Sequence, residues 1–286
     1  MGRTPECEVC AGEVVEWPVG RACTLWRCPS CGHVMRDLDR CWAHARAHPW
    51  GGDEGFDRIR SALTMRSLRS ILPANGHLDV LEIGFGRGLL LERFLARGDR
   101  VVGIDPGMLE RDVPAELRER ATLHAEPAES ADLPPESLDL VYGVHVVEHL
   151  ADPGAVFRAC RQALRPGGVA YFMTPNADSG GLRVFKDAWW NLEDPTHVRF
   201  FSRSSISRAL HDAGFGRVLT RVPRWDSLSL EISSLFRMLG RDGAEHGVLS
   251  SRAAKPAYAA LLPVAVAARL AWRGISPSIE VVALPQ

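Results

Sequence analysis

Two groups of residues in this chain have the types and spacing to do chemistry. Cys7-Glu8-Val9-Cys10 and Cys28-Pro29-Ser30-Cys31 give C-x2-C-x17-C-x2-C, a spacing within the range of structural zinc sites. Each pair forms a small turn that aims two thiolates at one point, and four thiolates close a tetrahedron. A zinc held by Cys7, Cys10, Cys28 and Cys31 would leave no position for substrate, so it would hold a fold together and do no catalysis. Cys23, His33 and Cys41 are spare ligand types that could replace one of the four. The second group is His145-Val146-Val147-Glu148-His149. On a helix, positions 145, 148 and 149 share one face. An imidazole titrates near neutral pH, which makes His149 a candidate general base with Glu148 to orient it. With His145 and His197 the set offers one carboxylate and three imidazoles, better suited to zinc or another transition metal than to magnesium. It could also simply cap and pack a helix. Base, metal site and packing all stay open at this level.

The elements that would position these groups are legible around Val80-Leu81-Glu82-Ile83-Gly84-Phe85-Gly86-Arg87-Gly88. A β-branched run enters, three glycines turn the chain, and Leu89 to Leu95 leaves with helical periodicity. That order predicts a strand, a tight turn and a helix N-terminus whose free N–H groups can face a ligand. The glycine spacing is G-x-G-x-G, and Leu89 stands where a dinucleotide fingerprint would carry its third glycine. Arg100 to Asp105 reads as the next parallel strand, ending in an acid that can accept both hydroxyls of a ribose. Helical period from Phe56 to Leu72 predicts a leading helix. Leu123 to Glu126 predicts a third strand, Ser137 to Tyr142 a fourth, Val169 to Phe172 a fifth and Ile279 to Leu284 a closing one. Roughly fifty residues separate that closing strand from the Arg217–Val222 strand, far more than a hairpin needs. Helical patterns at Ser227–Leu239 and Pro256–Trp272 predict a helical insertion there, over about 224–276, acting as a lid or a dimer surface.

The glycine turn with Glu82 ahead of it resembles motif I of the class I S-adenosylmethionine (SAM) methyltransferases. Ser137-Leu138-Asp139-Leu140-Val141 and Pro166-Gly167-Gly168 resemble that family's later motifs, in the right order over Val80 to Phe172. The resemblance implies an α/β, Rossmann-like, doubly wound seven-stranded sheet, joined here to a small N-terminal zinc-binding β-ribbon. It implies that SAM binds at Glu82, Gly84, Phe85, Gly86, Gly88, Asp105, Pro106, Ala128, Glu129 and His145. His149, Glu148 and His145 then face the cofactor. Some ubiquinone-pathway and small-RNA methyltransferases carry a metal-binding E-x-x-E-H at this place, and this chain departs from it with His145. The segment His197 to Phe215 resembles methyltransferases of small molecules, including ubiquinone-pathway and sugar-modifying enzymes. Trp189, Trp190 and His197 are accordingly expected to line a substrate pocket. The implied activity is O- or C-methylation of a natural-product or sugar intermediate. The competing readings are an RNA methyltransferase gripping RNA with its ribbon, and a SAM-fold protein that does not methylate.

Composition narrows these options. The chain has 286 residues and a net charge of −1, so no global basic field recruits nucleic acid. Within residues 1–39 the acids Glu6, Glu8, Glu13, Glu16, Asp37 and Asp39 oppose Arg3, Arg21, Arg27 and Arg36, which argues against an RNA grip. No apolar leader opens the sequence, and Pro263 and Arg269 interrupt its most apolar stretch, so a cytoplasmic protein without a membrane span is expected. In that compartment paired cysteines favour metal over disulfide. The expected organisation is a zinc-ribbon module over 1–41, a linker and leading helix over 42–76, and a SAM-binding domain over 77–286, with a homodimer as one option for assembly. Trp42, His44, His48 and Trp50 could line a pocket, and packing of the ribbon on its neighbour is the favoured expectation.

Overall fold

The computed structural model describes residues 5–21, 23–43, 54–73, 76–107, 113–239 and 254–286. The expected packing of His44, His48 and Trp50 lies outside the described residues, and Trp42 is 66% exposed. The chain divides into two compact units, each built from separate stretches of sequence.

The first unit comprises 1–57, 175–208 and 222–279. Strands β1 (Val15–Pro18), β2 (Thr24–Arg27) and β3 (Val34–Met35) form an antiparallel ribbon. Its fourth strand comes from far along the chain: β9 (Arg199–Phe200) pairs antiparallel with β3, Val34 opposite Phe200. The ribbon is therefore one sheet with residues beyond the expected 1–41 boundary. Leu25 and Val34 share a core with Leu182, Trp189, Leu192 and Phe200. Polar groups reinforce the join. The buried Arg36 donates to the carbonyls of Cys41, Leu192 and Asp194, each at 2.8 Å. Arg199 grips Glu8 at 2.7 and 3.1 Å, and His33 Nε2 lies 2.6 Å from the same carboxylate. Burial alone would raise the Glu8 carboxyl, but hydrogen bonds from His33 and Arg199 outweigh it and hold it at about 2.

After α5 (Gly180–Phe185) and α6 (Arg203–Asp212), the insertion forms α7 (Ser229–Met238) and α8 (Ala254–Ala271). Ile232 and Phe236 of the first pack with Tyr258 and Ala265 of the second. Arg269 is 2% exposed and pairs with both oxygens of Glu231, at 2.6 and 2.8 Å. A buried arginine needs such a partner, because an unpaired buried charge costs several kcal/mol, on the order of 3–5.

The second unit comprises 58–174, 209–221 and 280–286. It holds a seven-stranded sheet in the order β10-β11-β8-β7-β4-β5-β6. The parallel core is β4 (Asp79–Ile83), β5 (Arg100–Ile104), β6 (Thr122–His124), β7 (Leu138–Val144) and β8 (Leu164–Pro175). The edge strand β10 (Arg217–Arg221) runs antiparallel to β11 (Ser278–Leu284). The helices expected from periodicity are present as α1 (Glu54–Arg69) and α2 (Leu89–Arg97), followed by α3 (Ala115–Arg120) and α4 (Pro153–Ala163). Leu90, Leu91, Phe94 and Leu95 of α2 meet Val80, Val101 and Leu140 of the sheet in one apolar core. Strand β4 pairs with β5 on one side and β7 on the other. The winding reverses at that point, and in open α/β sheets the ligand crevice opens at the carboxyl ends of the strands there.

Candidate functional site

The loop after β4 is built for close approach to a ligand. Gly84, Gly86 and Gly88 all take positive φ, at 69°, 56° and 77°, a region costly for any residue with a Cβ. A Cβ at Gly84 would also meet Val146 Cγ2 at 2.6 Å. The loop ends at α2, whose first N–H groups face outward at its N-terminus. Phe85 turns its ring into the core, 4% exposed, so only its backbone faces the loop side.

Asp105 follows β5 and is 3% exposed. One carboxylate oxygen accepts from the Gly86 N–H and the other from the Gly107 N–H, both at 2.9 Å. These bonds lock the carboxylate to the glycine loop. A carboxylate offers about four acceptor sites, so a pinned one still has the capacity expected of it toward a ribose. Pro106 is exposed beside it in the same turn. Glu82 lies beneath the loop, 4% exposed, and accepts from the Tyr142 hydroxyl at 2.9 Å. Burial, joined by the nearby Asp105 charge, pushes its carboxyl well above the usual range. Glu82 thus supports the loop from below.

Ala128 and Glu129 sit on a single turn of helix after β6, with Ala128 buried. Glu129 Oε1 accepts from the backbone N–H of Ala151, at 2.7 Å, and of Asp152, at 3.3 Å. This clamps the turn to the N-terminus of α4, where Asp152 caps Ala155 N at 2.8 Å.

The histidine–carboxylate segment corrects one expectation. Residues 145–149 form a turn after β7 and no helix. His145 takes φ 53° while its N–H bonds to Met173 O, and the His149 N–H reaches only to Val146 O. A residue with left-handed backbone cannot be part of a right-handed helical turn, so the grouping of these side chains comes from a tight turn. Glu148 is fully buried: one oxygen accepts from Thr174 Oγ1 at 3.0 Å and the other lies 3.4 Å from His145 Nδ1. The carboxylate is thus paired with His145, while His149 is exposed, its ring within 4.8 Å of Glu148. Gly84, Gly86, Asp105 and His145 all stand at the carboxyl ends of β4, β5 and β7, as the sequence predicts. Tyr142, Thr174 and Gly107 went unnoticed there, because a hydroxyl inside an apolar strand and a backbone N–H leave no motif.

In the first unit the thiols of Cys7, Cys10, Cys28 and Cys31 converge within 4.8 Å of one another. Cys7 to Cys31 is 3.6 Å and Cys10 to Cys28 is 3.4 Å. Sulfurs around a tetrahedral zinc, each roughly 2.3 Å from the metal, sit about 3.8 Å apart, so the donor set fits that ion. The turns of the two knuckles are closed by Ala11 N to Cys7 O at 2.8 Å and Gly32 N to Cys28 O at 2.9 Å. The spare ligands are otherwise engaged: Cys23 and Cys41 form a disulfide, against the expectation of metal over disulfide, and His33 is held by Glu8.

Of the expected substrate-pocket residues, Trp189 is 1% exposed and stacks obliquely on Phe200, ring centres 5.3 Å apart. It is a core residue of the ribbon unit, since a large aromatic gains most by full burial. Trp190 is half-buried beside Ile232 and Phe236, and its backbone N–H donates to Ser234 Oγ at 2.9 Å. His197 is bonded through Nδ1 to Asn191 O at 2.8 Å.

Comparison with known proteins adds three findings. A family described as "Methyltransferase domain" matches residues 55–219. A ubiquinone biosynthesis O-methyltransferase from Cereibacter sphaeroides is 38% identical over 171 residues, 54% of this chain and 66% of that protein. One from Pseudomonas syringae is 37% identical over 107 residues, 34% of this chain and 44% of the relative. The chain thus spans between 44% and 66% of the length of these curated relatives. Among solved structures, the [4+2]-cyclase SpnF has a TM-score of 0.53 at 17% identity, over 85% of this chain and 88% of that one. Haemonchus contortus phosphoethanolamine N-methyltransferase 2, in complex with S-adenosyl-L-methionine, has a TM-score of 0.52 at 18% identity, over 79% of this chain and 53% of that one. These two likenesses concern the fold.

Proposed function

Because the chain belongs to the methyltransferase-domain family of class I SAM-dependent enzymes, we propose that it methylates a small-molecule acceptor, by O-methylation as in its ubiquinone-pathway relatives. The observation that carries this reading is the glycine loop pinned to Asp105 through Gly86 N at 2.9 Å. Bound SAM supplies a methyl group activated on a sulfonium. The Gly84–Gly88 backbone would give it close approach, and Asp105 would accept from its ribose hydroxyls. Glu129 and Ala128 flank the adenine side. His149 would take the proton that the acceptor oxygen gives up on methylation. His145, paired with the buried Glu148 at 3.4 Å, positions the turn that carries His149.

Zinc in the four-cysteine site is part of the same proposal, as a structural ion that orders the knuckles. Among the described residues no helix is long and apolar enough to cross a membrane.

Calorimetric titration with SAM tests the core of the reading: saturable binding at about one site per chain supports it, and no binding refutes it. His149→Ala then tests the base. With S-adenosylhomocysteine release measured over a panel of catechol and phenol acceptors, turnover should fall roughly 10²–10⁴-fold at unchanged SAM affinity. Turnover equal to wild type removes His149 from the chemistry.

A further inference from the structure

Within the first unit, the β1–β2 hairpin and the segment 182–187 line an open cleft of about 560 Å³. Small-molecule sites run roughly 300–1,000 Å³. Trp17 and Arg21 come from the hairpin, Arg183 from α5, and Lys186 and Asp187 from the single helical turn that follows. The two walls are tied together. A Cβ at Gly20 would overlap the Asp187 carboxylate, so the glycine lets that side chain reach the hairpin tip. There it accepts from the Arg21 backbone N–H at 3.1 Å. Lys186 takes φ 53° and ψ −127°, a conformation that a residue with a Cβ seldom adopts. Its carbonyl accepts from the Trp189 N–H at 3.0 Å, which holds the turn. Residues strained in this way persist where their surroundings fix them, and they cluster at ligand clamps.

Charge in the cleft is unbalanced. Arg21, Arg183 and Lys186 are exposed, and among the described residues none of the three side chains has a carboxylate partner. Elsewhere on the ribbon such a charge is answered, as Arg40 is by Glu16 at 2.8 Å. Arg27 covers one face of the Trp17 ring at 4.9 Å and adds positive potential at the rim. The Asp187 carboxylate offsets one of the three lining cations and leaves two positive charges uncompensated. A phosphate monoester matches that excess, since it carries about −1.5 to −2 near neutral pH and three strong acceptor oxygens. Two guanidinium forks and an ammonium are suited to those oxygens. A carboxylate would bring only one charge. A nucleic-acid backbone needs a basic track continuing past one cleft, and Glu13 and Glu16 flank this hairpin instead.

We propose that this cleft binds a phosphorylated small molecule, its phosphate held by Arg21, Arg183 and Lys186 and its organic part against Trp17 and Pro18. The proposal is independent of the methyl-transfer reading, and its test uses no turnover. Full-length protein is titrated calorimetrically at low salt with phenyl phosphate, inorganic phosphate and benzoate. Phenyl phosphate should bind at about one site per chain and about tenfold or more tighter than benzoate, the worth of one charge-assisted bond. Inorganic phosphate should compete with it and bind about fivefold more weakly, for want of the ring. Binding should weaken as salt rises. Arg183→Glu and Lys186→Glu should each weaken phenyl phosphate binding about tenfold or more. Both positions are exposed, so these variants should keep wild-type circular dichroism and thermal midpoint. Lys186→Gly should raise the midpoint by relieving the strained φ, while binding falls about tenfold. Excess SAM should leave the affinity for phenyl phosphate unchanged. Absence of saturable phenyl phosphate binding overturns the proposal, as does affinity that the three variants leave intact or displacement of the ligand by SAM. Benzoate binding as tightly as phenyl phosphate, or displacement by a single-stranded RNA oligomer, assigns the cleft to another ligand and overturns it equally.

Discussion

Asp105→Asn isolates the contact on which the cofactor loop depends. In the native protein the two carboxylate oxygens each accept a backbone N–H, from Gly86 and from Gly107, both at 2.9 Å. Asparagine keeps one acceptor oxygen and puts an NH₂ donor where the other stood, facing an N–H. One charge-assisted bond is lost, worth roughly 1.5–3 kcal/mol. The same substitution weakens acceptance from the ribose by a like amount. Part of the loss falls on the folded loop and part on the complex, so SAM affinity alone should drop by about 1.5–3 kcal/mol, or roughly 10–150-fold. Titration calorimetry with SAM reads this directly, beside far-ultraviolet circular dichroism to show that the sheet is intact. A variant that folds normally and binds SAM within about twofold of wild type would show that the pinned carboxylate is a loop staple and no part of the nucleoside site.

Other outcomes follow from the same geometry. Burial, joined by the Asp105 charge, raises the Glu82 carboxyl well above its usual range in the fold. Its raised value adds stability at low pH that is lost as pH climbs above the unfolded value of about 4.5, at up to about 1.4 kcal/mol per pH unit. Glu82→Gln mimics the neutral acid and should flatten that decline in urea melts at successive pH values, whereas parallel curves for the two proteins would contradict the assignment. Cys28→Ser should abolish stoichiometric zinc in metal analysis of the purified protein and lower its thermal midpoint, because three thiolates cannot close the tetrahedron; full zinc and full stability in the variant would remove the metal.

Short-range chemistry was legible in the sequence. The two C-x2-C pairs, the three glycines and the acid ending β5 are each specified within a few residues, because a turn with positive φ or a knuckle needs particular residue types at fixed offsets. The strand and helix order around them follows from apolar periodicity, which reports which face is buried. Tertiary structure decided what lay beyond that reach. Strand β9 has two residues, too few for any period, so nothing local announces that Phe200 completes a sheet with Val34. Arg36 reaches carbonyls 156 and 158 residues away, and Glu8 meets Arg199 across 191. A charged residue looks like surface in sequence, and only packing shows that its charge is buried and answered. The turn at His145–His149 and the pairing of Cys23 with Cys41 have the same origin: both patterns are locally compatible with a helix and with metal ligands, respectively. The outcome depends on neighbours that the chain brings in from elsewhere, namely Met173 O at the His145 N–H and the bridge that sets Cys23 against Cys41. The sequence by itself determined which residues could bind and react. Which of them face one another was set by long-range pairing, whose partners carry no mark of each other along the chain.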